Sequence, residues 1–403
     1  MTGSRDDQAP ESGRRIIVPG VAVGHSMFHW ILQSFVVALP EIQQAFGLSS
    51  VGVGGILSAR EFASGLVALP GGVLVDIFRK YWGPLLALCL VACSVGCFII
   101  GVSPVYPLLL IGMATVAISH SIWHLLAAAS LSHHFPQRRG TVLSFHGVGG
   151  SVGDVAGPLV TGALLAFLTW RDILSVYAVV PLFMGAMAIW ALRNIGNMEE
   201  GEAVAGSQRI EATRLLLRSP VLWGLTVVRG FRGMALVALL TILSLYLDND
   251  LQMSTTFRGF HIGLLIAVGL IAKPVAGMLS DRFGRKQVLA PGLAWSCLIA
   301  LALLAFDTGV MLTVTIGLLG LFLYPDQPIL TAAVFDELGD EVASTGLGIV
   351  TFAAFLMAMF SPLIAGGLYE TFGFQAVVYY IAALFAGAAV VVSVLPLRKT
   401  TSP

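Results

Sequence analysis

Long apolar runs separated by short polar loops cover nearly the whole chain. A bilayer core of about 30 Å needs a helix of roughly 20 apolar residues to cross it. The runs of that length predict an all-α membrane protein with 12 transmembrane helices. The predicted spans are 16–39, 51–74, 83–102, 107–131, 141–168, 173–192, 221–247, 255–279, 288–306, 310–334, 346–369 and 376–396.

The longest polar break lies between the sixth and seventh spans and is rich in charged residues and glycine. It predicts a linker between two six-helix bundles. The expected division of the chain is an N-terminal tail at 1–15, a first bundle at 16–192, a linker at 193–220, a second bundle at 221–396 and a C-terminal tail at 397–403.

Basic residues set the expected orientation. Most of the 22 Lys and Arg fall in the tails and in the loops on one side, whereas Arg171 and Arg258 are expected on the other side. Because basic loops stay in the cytoplasm, both termini are predicted to be cytoplasmic. We therefore expect a multi-pass protein of the cytoplasmic (inner) membrane.

The composition agrees with a membrane protein and excludes other classes. Hydrophobic residues make up 57% of the chain and charged residues 11%, where a soluble domain has about 25% charged residues. The formal net charge is zero, which argues against a nucleic-acid partner. The expected partners are the lipid bilayer and a small-molecule substrate, and we expect a monomer.

The two halves repeat each other in sequence. The segment "GGVLVDIFRK" follows the second span and "GMLSDRFGRK" follows the eighth, so that Asp76 and Asp281 are 205 residues apart. Pro158 in the fifth span and Pro362 in the eleventh are 204 residues apart. Two landmarks at nearly the same offset indicate a duplicated six-helix unit.

The segment after the eighth span is similar to the loop signature of the major facilitator superfamily. In the first copy Phe78 replaces the glycine that precedes the basic pair. The resemblance implies two pseudo-symmetric bundles that rock around a central site, and a conformational latch at each copy of the signature. The implied latch residues are Gly72, Asp76, Arg79, Gly277, Asp281, Arg282, Gly284 and Arg285.

Within that superfamily, three segments resemble the fosmidomycin-resistance type of drug exporter. They are "HSMFHWILQSFVVALPEIQQAFGLS", "SIWHLLAAAS" and "GTVLSFHGVGGSVGDVAGPL". That family has a Phe-His-Pro element in the fourth span, where this chain has Trp123, His124 and Leu125. The glycines and the proline of the third segment also resemble the antiporter signature of the superfamily, which is associated with export.

Polar and ionisable side chains inside the spans are the candidate site. Such residues are costly in a membrane and usually face a bundle interior or a wet cavity. At about 1.5 Å per residue they fall near the middle of the bilayer. The predicted substrate-binding residues are His25, His29, Gln33, Arg60, His120, His124, Arg229, Arg232, Tyr324 and Asp326.

The histidines leave three interpretations open. Neutral imidazoles could hold the first span against the fourth by hydrogen bonds. They could also contact substrate or carry protons, since histidine titrates near physiological pH. The third interpretation is a transition-metal site formed by His25, His29, His120 and His124.

The charged residues have two interpretations as well. Arg229 and Arg232 cannot lose their protons, so each needs an anion, either a carboxylate of the protein or an anionic substrate. Arg60 and Glu61 point about 100° apart on a helix and are not expected to pair with each other. The predicted proton-coupling residues are Asp154, as an acid without a fixed partner, and Glu61.

These features together predict a secondary active transporter rather than an enzyme. No nucleotide-binding loop of the G-x4-G-K-[ST] form is present in the sequence, so no cofactor is expected and the energy source is predicted to be a proton gradient. The expected activity is proton-coupled export, by alternating access, of a small anionic organic solute or drug. The alternatives are import of an organic anion and transport of a divalent metal or metal chelate through the histidine-lined cavity.

Overall fold

The computed structural model describes residues 11–68, 70, 71, 75, 77–192, 195, 218–338 and 343–397, and its regular elements are all helices. Most of the predicted linker, the end of each tail, residues 339–342 of the acidic loop at 335–345, and the latch residues Gly72 and Asp76 lie outside the described residues.

In the described residues of the first half there are seven α-helices. They are α1 (Glu11–Val37), α2 (Leu39–Phe46), α3 (Ser50–Ala68), α4 (Trp82–Val102), α5 (Tyr106–His134), α6 (Arg139–Leu164) and α7 (Trp170–Ala191). The first helix begins at Glu11, before the predicted start of the first span.

Eight α-helices lie in the part of the second half that the structure describes. They are α8 (Pro220–Asn249), α9 (Thr255–Phe283), α10 (Arg285–Ala302), α11 (Gly309–Leu323), α12 (Asp326–Leu338), α13 (Ala343–Ala358), α14 (Ser361–Phe372) and α15 (Phe374–Val394). Two of the predicted spans are broken in the middle, one between α11 and α12 and the other between α13 and α14.

Helices occupy each of the 12 predicted spans, but fewer meet a strict test of length and apolar character. In the described residues nine helices are long and apolar enough to cross a membrane, and ten if α1 and α2, which meet at 57°, count as one span. The helices α6 and α10 fall short because α6 is rich in glycine and polar residues and α10 begins with basic residues. The multi-pass fold is clear, and the count of 12 spans stays a prediction.

Glycines bring the backbone of α6 against that of α1. A Cβ atom on Gly149 would lie 2.1 Å from the carbonyl oxygen of Ala22, and one on Gly153 would lie 2.1 Å from that of Ser26. Small residues are the usual means of such close helix contact in a membrane. The contact places the polar residues of α1 and α6 next to each other.

The two halves meet closely at the end of the molecule where α2 lies, the α2 end. There α6 crosses α9, where a Cβ atom on Gly162 would be 2.6 Å from the carbonyl oxygen of Thr255. A second crossing at the same end is that of α3 and α14, where a Cβ atom on Gly54 would be 2.3 Å from the carbonyl oxygen of Pro362. These crossings leave no room for a side chain between the halves.

A buried arginine also joins the halves at the α2 end. Arg258, which was expected on the side opposite the basic loops, lies in the first turn of α9 and is 0% exposed. It donates to Asp248 of its own half and to Glu41 on α2. Beside it, Asn249 donates to Gln43 at 3.2 Å. Hydrogen bonds and an ion pair therefore reinforce the glycine contacts.

The glycine packing predicts a contrast between two substitutions in the same helix. Gly153→Ala places a methyl group against the α1 backbone and should destabilise the protein by about 1–3 kcal/mol, as overpacking usually does. Gly147 has nothing within 4 Å of its Cβ position, so Gly147→Ala should leave stability unchanged or raise it, because alanine is the better helix former. Thermal unfolding in detergent measures both, and equal melting temperatures would contradict the packing argument.

Candidate substrate and proton site

Four histidines from α1 and α5 form one cluster. The Nε2 atom of His25 lies 2.9 Å from Nε2 of His29 and 3.3 Å from Nε2 of His124. With His120 included, one ring nitrogen from each residue lies within 4.8 Å of those of the others. The helical spacing of four residues in each pair turns both pairs toward the same point.

Hydrogen bonds define which ring nitrogens carry protons. Nδ1 of His25 donates to the carbonyl oxygen of His146 at 2.7 Å, and Nδ1 of His29 donates to Oδ1 of Asp154 at 2.8 Å. Both acceptors can only accept, so a proton sits on each Nδ1 and each neutral ring turns an Nε2 lone pair toward the other. Two lone pairs at 2.9 Å need a cation or a shared proton between them.

Asp154 has fixed partners, contrary to the expectation from sequence. Besides His29, its Oδ1 atom accepts a hydrogen bond from the side chain of Gln33 at 3.1 Å. The reason is the close approach of α1 to α6, which places two polar side chains beside the carboxylate. Asp154 is therefore joined to α1 by hydrogen bonds from two side chains.

Arg60 and Glu61 pair with each other, which corrects the prediction that they do not. Nε and Nη2 of Arg60 donate to Oε1 of Glu61 at 2.8 and 2.6 Å. Although their Cβ atoms diverge, the long arginine side chain folds back across the helix surface. Glu61 is therefore an ion-paired carboxylate.

Arg232 is bound within the second half. Its Nε atom donates to both oxygens of Asp326 at 2.9 and 2.8 Å, and its Nη2 donates to the carbonyl oxygen of Leu323 at 2.7 Å. The break between α11 and α12 exposes this part of the backbone, since Pro325 and Pro328 offer no N–H groups to the preceding turn. The arginine thus holds the broken helix together.

Two further cations of the same half have no such partner. In the part of the chain that the structure describes, no carboxylate lies within 4 Å of the charged groups of Arg229 or Lys273. Arg229 donates to the hydroxyl of Thr331 at 3.3 Å, and Nζ of Lys273 lies 5.8 Å from the centre of the Tyr324 ring. Both cations keep hydrogen-bonding capacity for another group.

Tyr324 faces both halves. Its hydroxyl is buried and has no hydrogen-bond partner among the described residues, as is also true of Oε1 of Gln33 and Nε2 of His120. Tyr324 interacts electrostatically with Asp154 and Arg60 of the first half and with Asp326 of the second. Unpaired polar atoms at this position mark the place where a polar ligand could bind.

Two residues beside the predicted site residues, His146 and Lys273, were not predicted from the sequence. The ring of His146 on α6 stacks on His25 with centroids 3.9 Å apart. Its position next to the glycine row that packs on α1 was the available signal. Lys273 on α9 is the second, and its Nζ atom lies 5.8 Å from the centre of the Tyr324 ring.

The second copy of the loop signature forms ion pairs within its own half. Arg285 donates to Asp281 and, at 2.8 Å, to Asp336 in the last turn of α12. Partial burial opposes the charge of Arg285, but its hydrogen bonds to both carboxylates outweigh it and raise the pKa of Arg285. Gly284 between α9 and α10 has φ +100°, which favours glycine. In the first copy, the guanidinium of Arg79 lies 5.6 Å from the centre of the Trp82 ring.

Comparison with protein families identifies the family to which this chain belongs. The family model of the Major Facilitator Superfamily matches residues 21–271 and 227–403, which together cover most of the chain. The chain belongs to the Major Facilitator Superfamily. It is therefore a transporter and not an enzyme, as the sequence predicted.

Relatives and solved structures agree with this membership. The chain is 22% identical to a probable hexose phosphate transport protein of Chlamydia pneumoniae, over 94% of this chain and 90% of that protein. It is 21% identical to a probable L-galactonate transporter of Escherichia coli, over 84% of this chain and 79% of that protein. The crystal structure of a D-xylose–proton symporter superposes with a TM-score of 0.78 at 16% identity, covering 96% of this chain and 99% of that one.

The Arg232–Asp326 pair predicts strongly non-additive effects on stability. Its side chains are 9% and 1% exposed, so Arg232→Met or Asp326→Leu alone leaves a buried charge unpaired and should cost about 3–5 kcal/mol. The double substitution removes both charges and should recover a large part of that loss. Thermal unfolding of the three variants measures this coupling, and additive losses would show that the two charges do not depend on each other.

Proposed function

We propose that the protein moves a small organic anion across the cytoplasmic membrane by alternating access, coupled to the proton gradient. The observation that carries this proposal is the presence of two mid-membrane cations, Arg229 and Lys273, that lack a carboxylate partner among the described residues. A positive charge held in low dielectric requires an anion nearby. A substrate can supply that anion.

The chemistry of the two cations fits a carboxylate or a phosphate. A guanidinium presents a planar set of donors that suits these groups, and a lysine adds a point charge. The hexose phosphate and L-galactonate that name two relatives are both anions of this kind. Arg229 and Arg232 were both predicted from the sequence to bind an anion. Arg229 is the better candidate because Arg232 already forms an ion pair with Asp326.

The proton would bind at the histidine cluster of the first half. A proton between His25 and His29 satisfies both Nε2 lone pairs, and Asp154 stabilises the imidazolium that results. Glu61 is the weaker candidate because Arg60 already holds it.

The charges favour movement of the anion and the proton together. Arg60–Glu61 and Arg232–Asp326 are neutral as pairs, and a proton on the histidine cluster neutralises Asp154. The layer is then more positive when protonated, so the proton strengthens anion binding. An inward proton gradient would drive uptake of the anion, which was the alternative to export.

Export is the second candidate, and the row of glycines with Pro158 in α6 supports it. This row resembles the antiporter signature, and other segments resemble the fosmidomycin-resistance type of drug exporter. The predicted cytoplasmic termini place the loop signatures inside the cell in both cases.

The first experiment is a ligand screen with the purified protein. Hexose phosphates, sugar acids, nitrate, a phosphonate drug and neutral sugars are tested by thermal unfolding, since a ligand of the native state raises its melting temperature. The best anion is then followed in proteoliposomes with imposed ΔpH of either sign. Uptake with protons entering supports symport, and movement against protons supports export. Binding of neutral sugars in place of anions would overturn the anion proposal.

Variants of the unpaired cations test the anion site. Arg229→Gln and Lys273→Gln should each weaken binding of the anion found in the screen by about ten-fold or more, because each removes a charge-assisted hydrogen bond worth roughly 1.5–3 kcal/mol. Arg218→Gln at the start of α8 is the matched control, since Arg218 is exposed. Binding isotherms in detergent measure the three variants. Unchanged affinity in both test variants would remove these residues from the site.

A variant of Asp154 tests the proton coupling. Asp154→Asn removes the counter-ion of His29 and should abolish ΔpH-driven accumulation while exchange of labelled for unlabelled anion continues. Asp307→Asn, at an exposed position, is the control. Proteoliposome assays measure both activities. Full ΔpH-driven accumulation by Asp154→Asn would move the coupling to other groups.

A further inference from the structure

We propose that His25, His29, His120 and His124 form a binding site for one divalent transition-metal ion of the zinc class. The proposal goes beyond anion transport, and it stands whether or not the anion assignment is correct. The ion would use the same Nε2 lone pairs of His25 and His29 as the proposed coupling proton, so the two would exclude each other. It rests on four imidazoles from two helices whose ring nitrogens converge within 4.8 Å.

The distances suit zinc coordination. Histidine nitrogens lie about 2.0–2.1 Å from zinc, so two of them stand roughly 3.3–3.4 Å apart in a tetrahedron. Nε2 of His25 and Nε2 of His124 are 3.3 Å apart, and Nε2 of His25 and Nε2 of His29 are 2.9 Å apart. The four ring nitrogens all lie within 4.8 Å of one another, so side-chain rotations would be needed to bring them to equal distances from a single ion.

The hydrogen bonds behind the ligands support the assignment independently. A metal-bound histidine usually donates its other ring N–H to a carboxylate or a backbone carbonyl, which orients the ring and fixes the tautomer. His25 does so to the carbonyl of His146, and His29 does so to Asp154. These contacts leave the Nε2 lone pairs directed into the cluster, as ligation requires.

The imidazole of His120, the fourth histidine of the cluster, is also consistent with a metal ion at this position. Nε2 of His120 is buried and has no hydrogen-bond partner among the described residues, and a metal ion would satisfy it. Imidazole ligands select zinc, copper or nickel over magnesium and calcium, which prefer oxygen ligands. We therefore expect no stoichiometric binding of Mg²⁺.

The test is metal binding by the full-length protein, purified with a tag that contains no histidine. Zn²⁺ titrated calorimetrically should bind at one ion per chain, and Mg²⁺ should not bind. His25→Gln and His124→Gln should each lose this binding, whereas His261→Gln, a histidine of α9 outside the cluster, should keep it. Asp154→Asn should weaken it by about 10–100-fold, because the carboxylate orients a ligand without touching the metal.

A spectroscopic measurement on the unmodified protein covers the case in which a variant fails to fold. Co²⁺ in a tetrahedral nitrogen site absorbs visible light far more strongly than the hydrated ion does. The unmodified protein with one equivalent of Co²⁺ should show that absorption, and Zn²⁺ should displace it. Absence of the absorption, or stoichiometric Zn²⁺ binding that survives in both His25→Gln and His124→Gln, would overturn the proposal. Neither outcome bears on anion binding, which is measured without metal.

Discussion

The middle of a bilayer offers no water, so each polar side chain placed there must find its partners within the protein. Most of the central polar residues meet this requirement inside their own half. Arg232 holds Asp326 in the second half, and His29 holds Asp154 in the first. What remains after this pairing, chiefly Arg229 and Lys273, is the chemistry available to a substrate. Under the proposed function, the substrate would therefore bind at the charged side chains that have no ion-pair partner among the described residues.

Internal pairing in turn depends on backbone contact at α6. A Cβ atom on Gly150 would lie 2.4 Å from Cε1 of His25, so the glycine makes the space that the imidazole occupies. Further along, Gly162 of the same helix meets Gly259 of the second half. One helix therefore holds Asp154, the hydrogen-bond partner of His29, at its middle and the contact between halves near its end. Movement of one half against the other would therefore be transmitted through α6 to Asp154, as coupling of transport to a proton requires.

Local pattern in the sequence was enough to predict the helices, the duplication and the polar layer, because each has a period or an offset. The partners of the polar residues depend on which helices touch, and the sequence does not contain that information. Asp154 was thus expected to be unpartnered and Arg60 was expected to pair elsewhere. The sequence likewise did not indicate that Arg258, near the start of the eighth predicted span, is fully buried between carboxylates.

The offset of 204 residues also explains why the two halves divide the chemistry. It relates His120 to Tyr324, and it relates His25 to Arg229. At equivalent positions the first half thus has groups that can gain a proton, and the second has a phenol and a permanent cation. Since a guanidinium keeps its charge at every physiological pH, only the first half has a side chain at these two positions that can change its charge near neutral pH. Under the proposed function, one half of the duplicated unit would bind the proton and the other would attract the anion, with Tyr324 near the charged residues of both.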